Sequence, residues 1–208
     1  MSPDPRGLVR CPWVGIADPE YARYHDEEWG VPRTDDTQLF EKIVLEGFQA
    51  GLSWLTILRK RDNFRRAFHG FDARRIARYG AADVARLMAD ASIVRNRLKI
   101  EATIENAQAL LRLQKHTRLA AFLWGFLDGR PQINRHRTFK TVPAETATSK
   151  TISKALKAEG FRFVGPTTIY AFMQSTGMVN DHLVTCHRHG PCARLQQLFE
   201  APMARTGA

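Results

Sequence analysis

An all-α fold is predicted for this 208-residue chain by two features of its sequence. Apolar residues recur at helical intervals over residues 37–45, 82–88, 93–113 and 169–173, and no stretch sustains the period-two alternation of a strand. The segments between them carry turn chemistry, in "HGFD", "DGRP" and the Thr/Ser/Pro stretch "TVPAETATS".

The first helix runs into "VLEGFQAGLSW", where Glu46 shares a face with Leu39, Ile43 and Ala50. A bare carboxylate on an apolar face is expensive to bury, so Glu46 needs a partner, a ligand or a raised pKa. Residues 82–88 and 93–113 are plain amphipathic helices. A further helix is expected over "ISKALKAEG", with Ser149 or Thr151 as its cap and Gly160 as its stop. A glycine-containing turn at 163–166 then leads into another helix beginning near Thr167. The free N–H groups and positive dipole end of such a helix can grip a phosphate, and Gly165 would let a backbone come close. An ordinary turn between packed helices is the alternative reading. No internal repeat is present.

Composition narrows the partners. With 31 Lys plus Arg against 21 Asp plus Glu, the formal charge is +10, which suits a polyanion such as nucleic acid. No apolar run approaches the roughly 20 residues that span a bilayer, and the start "MSPDPRGLVR" lacks an apolar signal core, so no membrane partner and a cytoplasmic location are expected. Three cysteines are too few for the disulfide framework of a secreted domain.

Two constellations carry chemistry. In "NDHLVTC", His182 and Cys186 lie four apart, on one face if the segment is helical, and "CPWVGIADPEYARYH" supplies Cys11 and His25. Together they form a Cys2His2 set suited to one tetrahedral zinc ion per chain, with His187, His189 and Cys192 as rival ligands. Four protein ligands leave no position for an activated water, so this zinc would be structural and would fasten the two ends of the chain together. The second constellation gathers Trp13, Tyr21, Tyr24, Trp29 and Trp54 near Glu46, with Arg59, Lys60, Arg61, Arg65 and Arg66 just downstream. Stackable rings, an acidic anchor and a phosphate grip are what an enzyme acting on an extruded base requires; a plain aromatic core is the alternative.

The motifs "CPWVG", "YHDEEWGVP", "LEGFQAGLSW" and "GFRFVGPTTIYAFMQSTGMVNDH", with Cys186 closing the set, closely resemble those of the bacterial 3-methyladenine DNA glycosylase I family, in the same order over about residues 10–192. The resemblance implies the helix-hairpin-helix DNA glycosylase fold, in one domain over residues 9–192 with two helical lobes around a base-binding cleft and flexible tails at 1–8 and 193–208. It implies hydrolysis of the N-glycosidic bond of 3-methyladenine in alkylated duplex DNA, with the free base released; nothing in the sequence demands more than a monomer. Residue by residue, it makes Cys11, His25, His182 and Cys186 the structural zinc ligands and Glu46 the base-recognition carboxylate. Trp54 and Tyr24, with Trp13, Tyr21 and Trp29, become the aromatic pocket.

Gly165, Thr167 and Thr168 fall on the implied DNA-binding hairpin, and Gly51 and Leu52 on the segment that wedges into the gap left by a flipped nucleotide, although Leu52 also reads as a core residue. Asn180 stands where many superfamily relatives carry a catalytic aspartate. Departures from the family pattern are one extra residue between Cys11 and His25, Phe48 in place of glutamine and Ser175 in place of alanine. Two other functions remain consistent with the residues: a non-catalytic binder of alkylation damage, and a zinc hydrolase of unrelated substrate.

Overall fold

The computed structural model describes residues 7–15 and 18–202. Among them the chain is mostly helical, as predicted. Helix α1 (Pro19–Glu27) starts from Asp18, whose carboxylate accepts from the Tyr21 N–H, with Pro19 at the first helical position. Asp35 caps α2 (Asp36–Gln49) and Ser53 caps α3 (Trp54–Ala67) in the same way. Short α4 (Ala73–Ile76) and α5 (Ala81–Ala89) lead to α6 (Arg97–Leu113), the longest, and to α7 (Leu119–Trp124). Then follow α8 (Ala147–Ala158), α9 (Pro166–Ser175) and α10 (His189–Gln197).

Local chemistry moves several expected boundaries. Residues 93–96 precede α6, because the Asn96 side chain accepts from the Lys99 N–H at 3.1 Å and so stands at the cap. Helix α8 starts earlier than expected: Thr146 and Ser149 bond each other's backbone N–H at 3.1 and 2.9 Å, which puts Ser149 inside a reciprocal capping box and Thr151 in the helix proper. Its end is as expected. Gly160 takes a left-handed φ of 92° while the Phe161 N–H reaches back to the Leu156 carbonyl at 2.9 Å.

The segment carrying His182 and Cys186 is a series of turns, not a helix, with the Cys186 N–H bonded to the Leu183 carbonyl at 2.8 Å. Strands β1 (Gln132–Ile133) and β2 (Val179–Asn180) form a two-residue parallel pair, Gln132 opposite Val179, a small addition to the helical plan. The expected tail at 193–208 is corrected at its start. There α10 continues to Gln197, the buried Gln196 amide donates to the Gly30 and Gly177 carbonyls, and Phe199 packs on Trp124 with ring centroids 4.4 Å apart. The parts of the expected tails at 1–6 and 203–208 lie outside the described residues.

Helix α2 is the centre of the packing, against α3, α6, α7 and α9, and every residue from 39 to 48 is buried. A helix enclosed on all sides has no solvated face, so its polar residues must find partners inside. Helices α8 and α9 pack as a hairpin beside it. At the end of α9, Gly177 has φ 71°, and a Cβ there would lie 2.4 Å from the Val31 and Pro32 backbone. That close approach pins the segment after α1 to the end of α9. Among the described residues, no helix is long and apolar enough to cross a membrane.

Candidate active site and metal-ligand cluster

A cavity of about 420 Å³ opens between α1, α2, α3, α9 and the connection preceding α8. Trp13, Tyr21, Tyr24, Trp29 and Trp54 all line it, so the structure brings together the five rings singled out in the sequence. Tyr21 and Tyr24, one turn apart, share a face of α1, and Trp54 is the first residue of α3. Trp13 is the hub, with ring centroids 5.0 Å from Tyr21 and 5.1 Å from Trp29, while Tyr24 and Trp54 lie 5.5 Å apart. The buried Trp54 Nε1–H has no hydrogen-bond partner. A buried donor left unmet by the protein suits a site that something else completes.

Glu46 contributes a carboxylate to the same cavity and is only 4% exposed. Burial pushes its pKa up to about 7, opposed by the Lys42 ammonium and the Ser175 hydroxyl. Lys42, midway along α2, was not singled out by the sequence. One turn before Glu46, its Nζ lies 4.6 Å from the Tyr24 ring centroid, 4.7 Å from that of Trp54 and 3.3 Å from the Tyr24 hydroxyl, to which it donates. Burial lowers Lys42 to about 8, with Glu46 pulling the other way. The one signal for Lys42 was its four-residue spacing from Glu46. Burial and the Glu46 charge also raise Tyr24, which keeps its phenol neutral.

Ser175 lines the cavity, whereas Phe48 packs in the core with its ring 4.8 Å from Phe64. Asn180 is wholly buried and structural, donating to the His189 carbonyl at 3.1 Å and accepting from the His182 N–H at 3.2 Å. Asp181 stands behind the cavity wall. It accepts from Tyr170 at 2.6 Å and Gln174 at 2.8 Å, two residues that do line the cavity.

The basic cluster on α3 is not a free phosphate grip. Arg59 pairs with Asp18, Arg61 binds Glu28 at 3.0 Å, Arg65 binds Glu41 at 2.8 Å and Arg66 bonds Asn63. Lys60 donates to the Ala91 and Ser92 carbonyls at 3.2 and 3.0 Å. Arg59, Lys60, Arg61 and Arg65 hold α3 to its neighbours, while Arg66 bonds within the helix.

Leu52 is 43% exposed, which excludes the core reading, and Gly51 beside it has φ 82°, a conformation that favours glycine. Gly165 caps α9 with an ordinary φ of −62°, and a Cβ there would meet nothing within 4 Å. Nothing inside the protein therefore calls for glycine at 165. Thr167 and Thr168 occupy the first turn of α9, where backbone N–H groups lack helical acceptors, and Thr167 also lines the cavity.

Next to the aromatic wall, Cys11, His25, His182 and Cys186 converge, all buried, with their ligand atoms within 4.8 Å of one another, so that they can hold a metal ion. Cys186 Sγ lies 3.5 Å from His25 Nε2 and 3.6 Å from His182 Nδ1, and Cys11 Sγ lies 3.7 Å from His182 Nδ1. The outer ring nitrogens are held as well, His25 Nδ1 by Asp26 at 2.8 Å and His182 Nε2 by the Trp29 carbonyl at 3.0 Å. Such bonds orient an imidazole toward a metal. The rivals are elsewhere: His187 Nε2 faces Asp26 at 3.3 Å, His189 Nε2 bonds the Asn134 carbonyl at 2.9 Å, and Cys192 Sγ approaches Arg188 at 3.6 Å. The extra residue between Cys11 and His25 does not keep the two from converging.

A family model described as methyladenine glycosylase matches residues 13–189. The chain is 50% identical over 180 residues to DNA-3-methyladenine glycosylase 1 of Escherichia coli (strain K12), an overlap of 86% of this chain and 96% of that protein. A crystal structure of 3-methyladenine DNA glycosylase I is similar at a TM-score of 0.84 and 50% identity, over 86% of this chain and 98% of that one. A variant of 3-methyladenine DNA glycosylase I in complex with 3-methyladenine is similar at a TM-score of 0.82 and 36% identity, over 86% and 96%. On a match of this extent, the chain belongs to the methyladenine glycosylase family.

Proposed function

We propose that this protein is a cytoplasmic base-excision repair enzyme. It acts as a monomer, flips 3-methyladenine out of alkylated duplex DNA, hydrolyses the N-glycosidic bond and leaves an abasic site without cutting the strand. The observation that carries this reading is the Glu46 carboxylate, buried in the wall of a cavity that it shares with the rings of Trp13, Tyr21, Tyr24, Trp29 and Trp54. A flat cation stacked against rings beside a carboxylate acceptor suits that chemistry. Relatives named DNA-3-methyladenine glycosylase, and one crystallised with 3-methyladenine, support the choice of base. One working domain, expected from the sequence over residues 9–192 and extended here by the rest of α10 and Phe199, would carry this activity on a fold of the helix-hairpin-helix superfamily.

Breaking a glycosidic bond to deoxyribose passes through a cation-like sugar, so a better leaving base speeds the reaction. Methylation at N3 makes adenine cationic beforehand, and little acid catalysis is then needed. In this reading Glu46 accepts hydrogen bonds from the amino edge of the extruded base and favours its positive charge. Trp54 and Tyr24, with Trp13, Tyr21 and Trp29 around them, stack on the ring. Neutral adenine gains less from both. Leu52, set out by Gly51, fills the gap left in the stack, and the first turn of α9 at Gly165, Thr167 and Thr168 takes a phosphate. With Asn180 and Asp181 both outside the cavity lining, neither acts on the sugar.

Cys11, His25, His182 and Cys186 suit one structural zinc ion. Two cysteine sulfurs and two imidazole nitrogens are a donor set that zinc favours, and three of their sulfur–nitrogen pairs lie 3.5–3.7 Å apart, with all four atoms within 4.8 Å of one another. Burial lowers the His182 pKa, which keeps its imidazole neutral as a ligand must be. When bound, the ion supplies a cross-link between the chain ends. The test of the site is Glu46→Gln, expected to keep the fold and weaken binding of free 3-methyladenine in titration calorimetry; unchanged binding would remove Glu46 from base recognition.

A further inference from the structure

Among the described residues, the well-exposed large apolar side chains are Val9, Leu52, Leu98, Phe139, Leu195 and Leu198. One of these, Phe139, lines the base cavity although 50% of it is open to solvent, and Leu52 lies close to the cavity, its N–H bonded to the carbonyl of the lining residue Gln49 at 2.6 Å. Phe139 belongs to the strap of residues 134–146 that links β1 to α8, and Val142, Pro143 and Ala144 of that strap line the same cavity. The strap is therefore one wall of the mouth, facing the helices.

It is also braced. The Thr141 hydroxyl donates to the Thr138 carbonyl at 2.8 Å, and the Val142 N–H donates to the Phe139 carbonyl at 3.1 Å, a single tight turn that starts at Phe139. Around it, Arg135, Arg137 and Lys140 are exposed and take part in no ion pair among the described residues. The strap's one carboxylate, Glu145, pairs with Lys150 at 2.9 Å and leaves those charges uncompensated. On α3 the opposite holds, since each cation there already has a partner within the protein.

We propose that the 134–146 strap is a DNA-contacting element, in which Phe139 packs on the base step beside the extruded nucleotide and Arg135, Arg137 and Lys140 bind the flanking phosphates. This rests on the reading of the cavity as the seat of a flipped base. The chemistry is that of an apolar side chain set against a base stack and a phosphate grip around it. It also supplies a cover for an aromatic ring otherwise left half in water at the rim of a site.

The test uses the full chain and a duplex oligonucleotide carrying a tetrahydrofuran abasic-site analogue, with affinity followed over a potassium chloride series. For the triple variant Arg135→Ala, Arg137→Ala, Lys140→Ala, the slope of log affinity against log salt is expected to fall by about 2–3, near 0.9 for each phosphate no longer neutralised. A control triple of exposed α4-region arginines, Arg74→Ala, Arg75→Ala, Arg78→Ala, is expected to keep the native slope. Phe139→Ser is expected to lose about tenfold in affinity at every salt concentration with the slope unchanged. Equal slopes for the strap triple and the native protein would overturn the proposal, as would a slope change in the control alone. Titration with free 3-methyladenine separates the two readings. The strap triple should bind the free base as the native protein does, and a native protein that binds duplex but no free base would overturn the base-excision reading while the slopes still decide the strap.

Discussion

Glu46 and Lys42 sit one turn apart on a helix whose middle is enclosed, and each sets what charge the other can carry. Burial raises Glu46 to about 7, and the Lys42 ammonium, followed by the Ser175 hydroxyl, opposes a further rise. Since the ionised carboxylate is the form that favours a cationic base, base release should fall as pH drops through about 7. Lys42→Met removes the opposing charge, so the midpoint of that acid limb should move to higher pH by about one unit or more, while Lys42→Arg should hold it near the native position. A rate-against-pH profile reads this directly, and an unmoved limb in Lys42→Met would leave Lys42 with a packing role alone. Glu46 was legible in the sequence because it broke an apolar face. Lys42 was not, because its burial depends on α3 and α9 covering the far side of α2, which no local pattern records.

Helix boundaries follow side-chain caps more closely than apolar periodicity does. Thr146 and Ser149 fix the start of α8, the first arm of the hairpin that leads to α9 and the cavity. Thr146→Ala should cost about 1 kcal/mol and lower Tm by about 2–4 °C for a chain of this size, measured by thermal unfolding; no shift would mean that the box contributes nothing to α8. The helices over 37–45, 82–88 and 169–173 were readable because their apolar faces pack as the period demands. The turns at 182–186 were not, since a spacing of four between His182 and Cys186 fits a helix and a tight turn equally well. Helix α10 escaped notice for a different reason. It is held by the long-range bonds of Gln196 to Gly30 and Gly177, a tertiary device without a local signature.

At the scale of the whole molecule, the metal-ligand cluster joins a segment near each end of the chain and lies against the aromatic wall, with the His182 ring centroid 4.6 Å from that of Trp29. Elemental analysis of protein purified without added metal should find one zinc per chain, and a strong chelator should lower Tm by loosening both ends at once. Protein that is metal-free yet equally stable would contradict the zinc reading. The four residues of the cluster were suggested by residue type, by the spacing of His182 and Cys186 and by the family motifs, whereas the rivals His187, His189 and Cys192 were separated from them only by the folded geometry. The same is true of the α3 cations, which looked like a phosphate grip until their partners, among them Asp18 and Glu28 at the two ends of α1 and Glu41 of α2, were in place.

The central claim is that the aromatic cavity and Glu46 together release 3-methyladenine from DNA. Its most direct test is chromatography of the free bases released from methylating-agent-treated duplex DNA by the native protein and by Glu46→Gln. The account predicts 3-methyladenine from the native protein and markedly less from the variant. Tight binding to the damaged duplex with no base released would contradict it and make the protein a binder of alkylation damage.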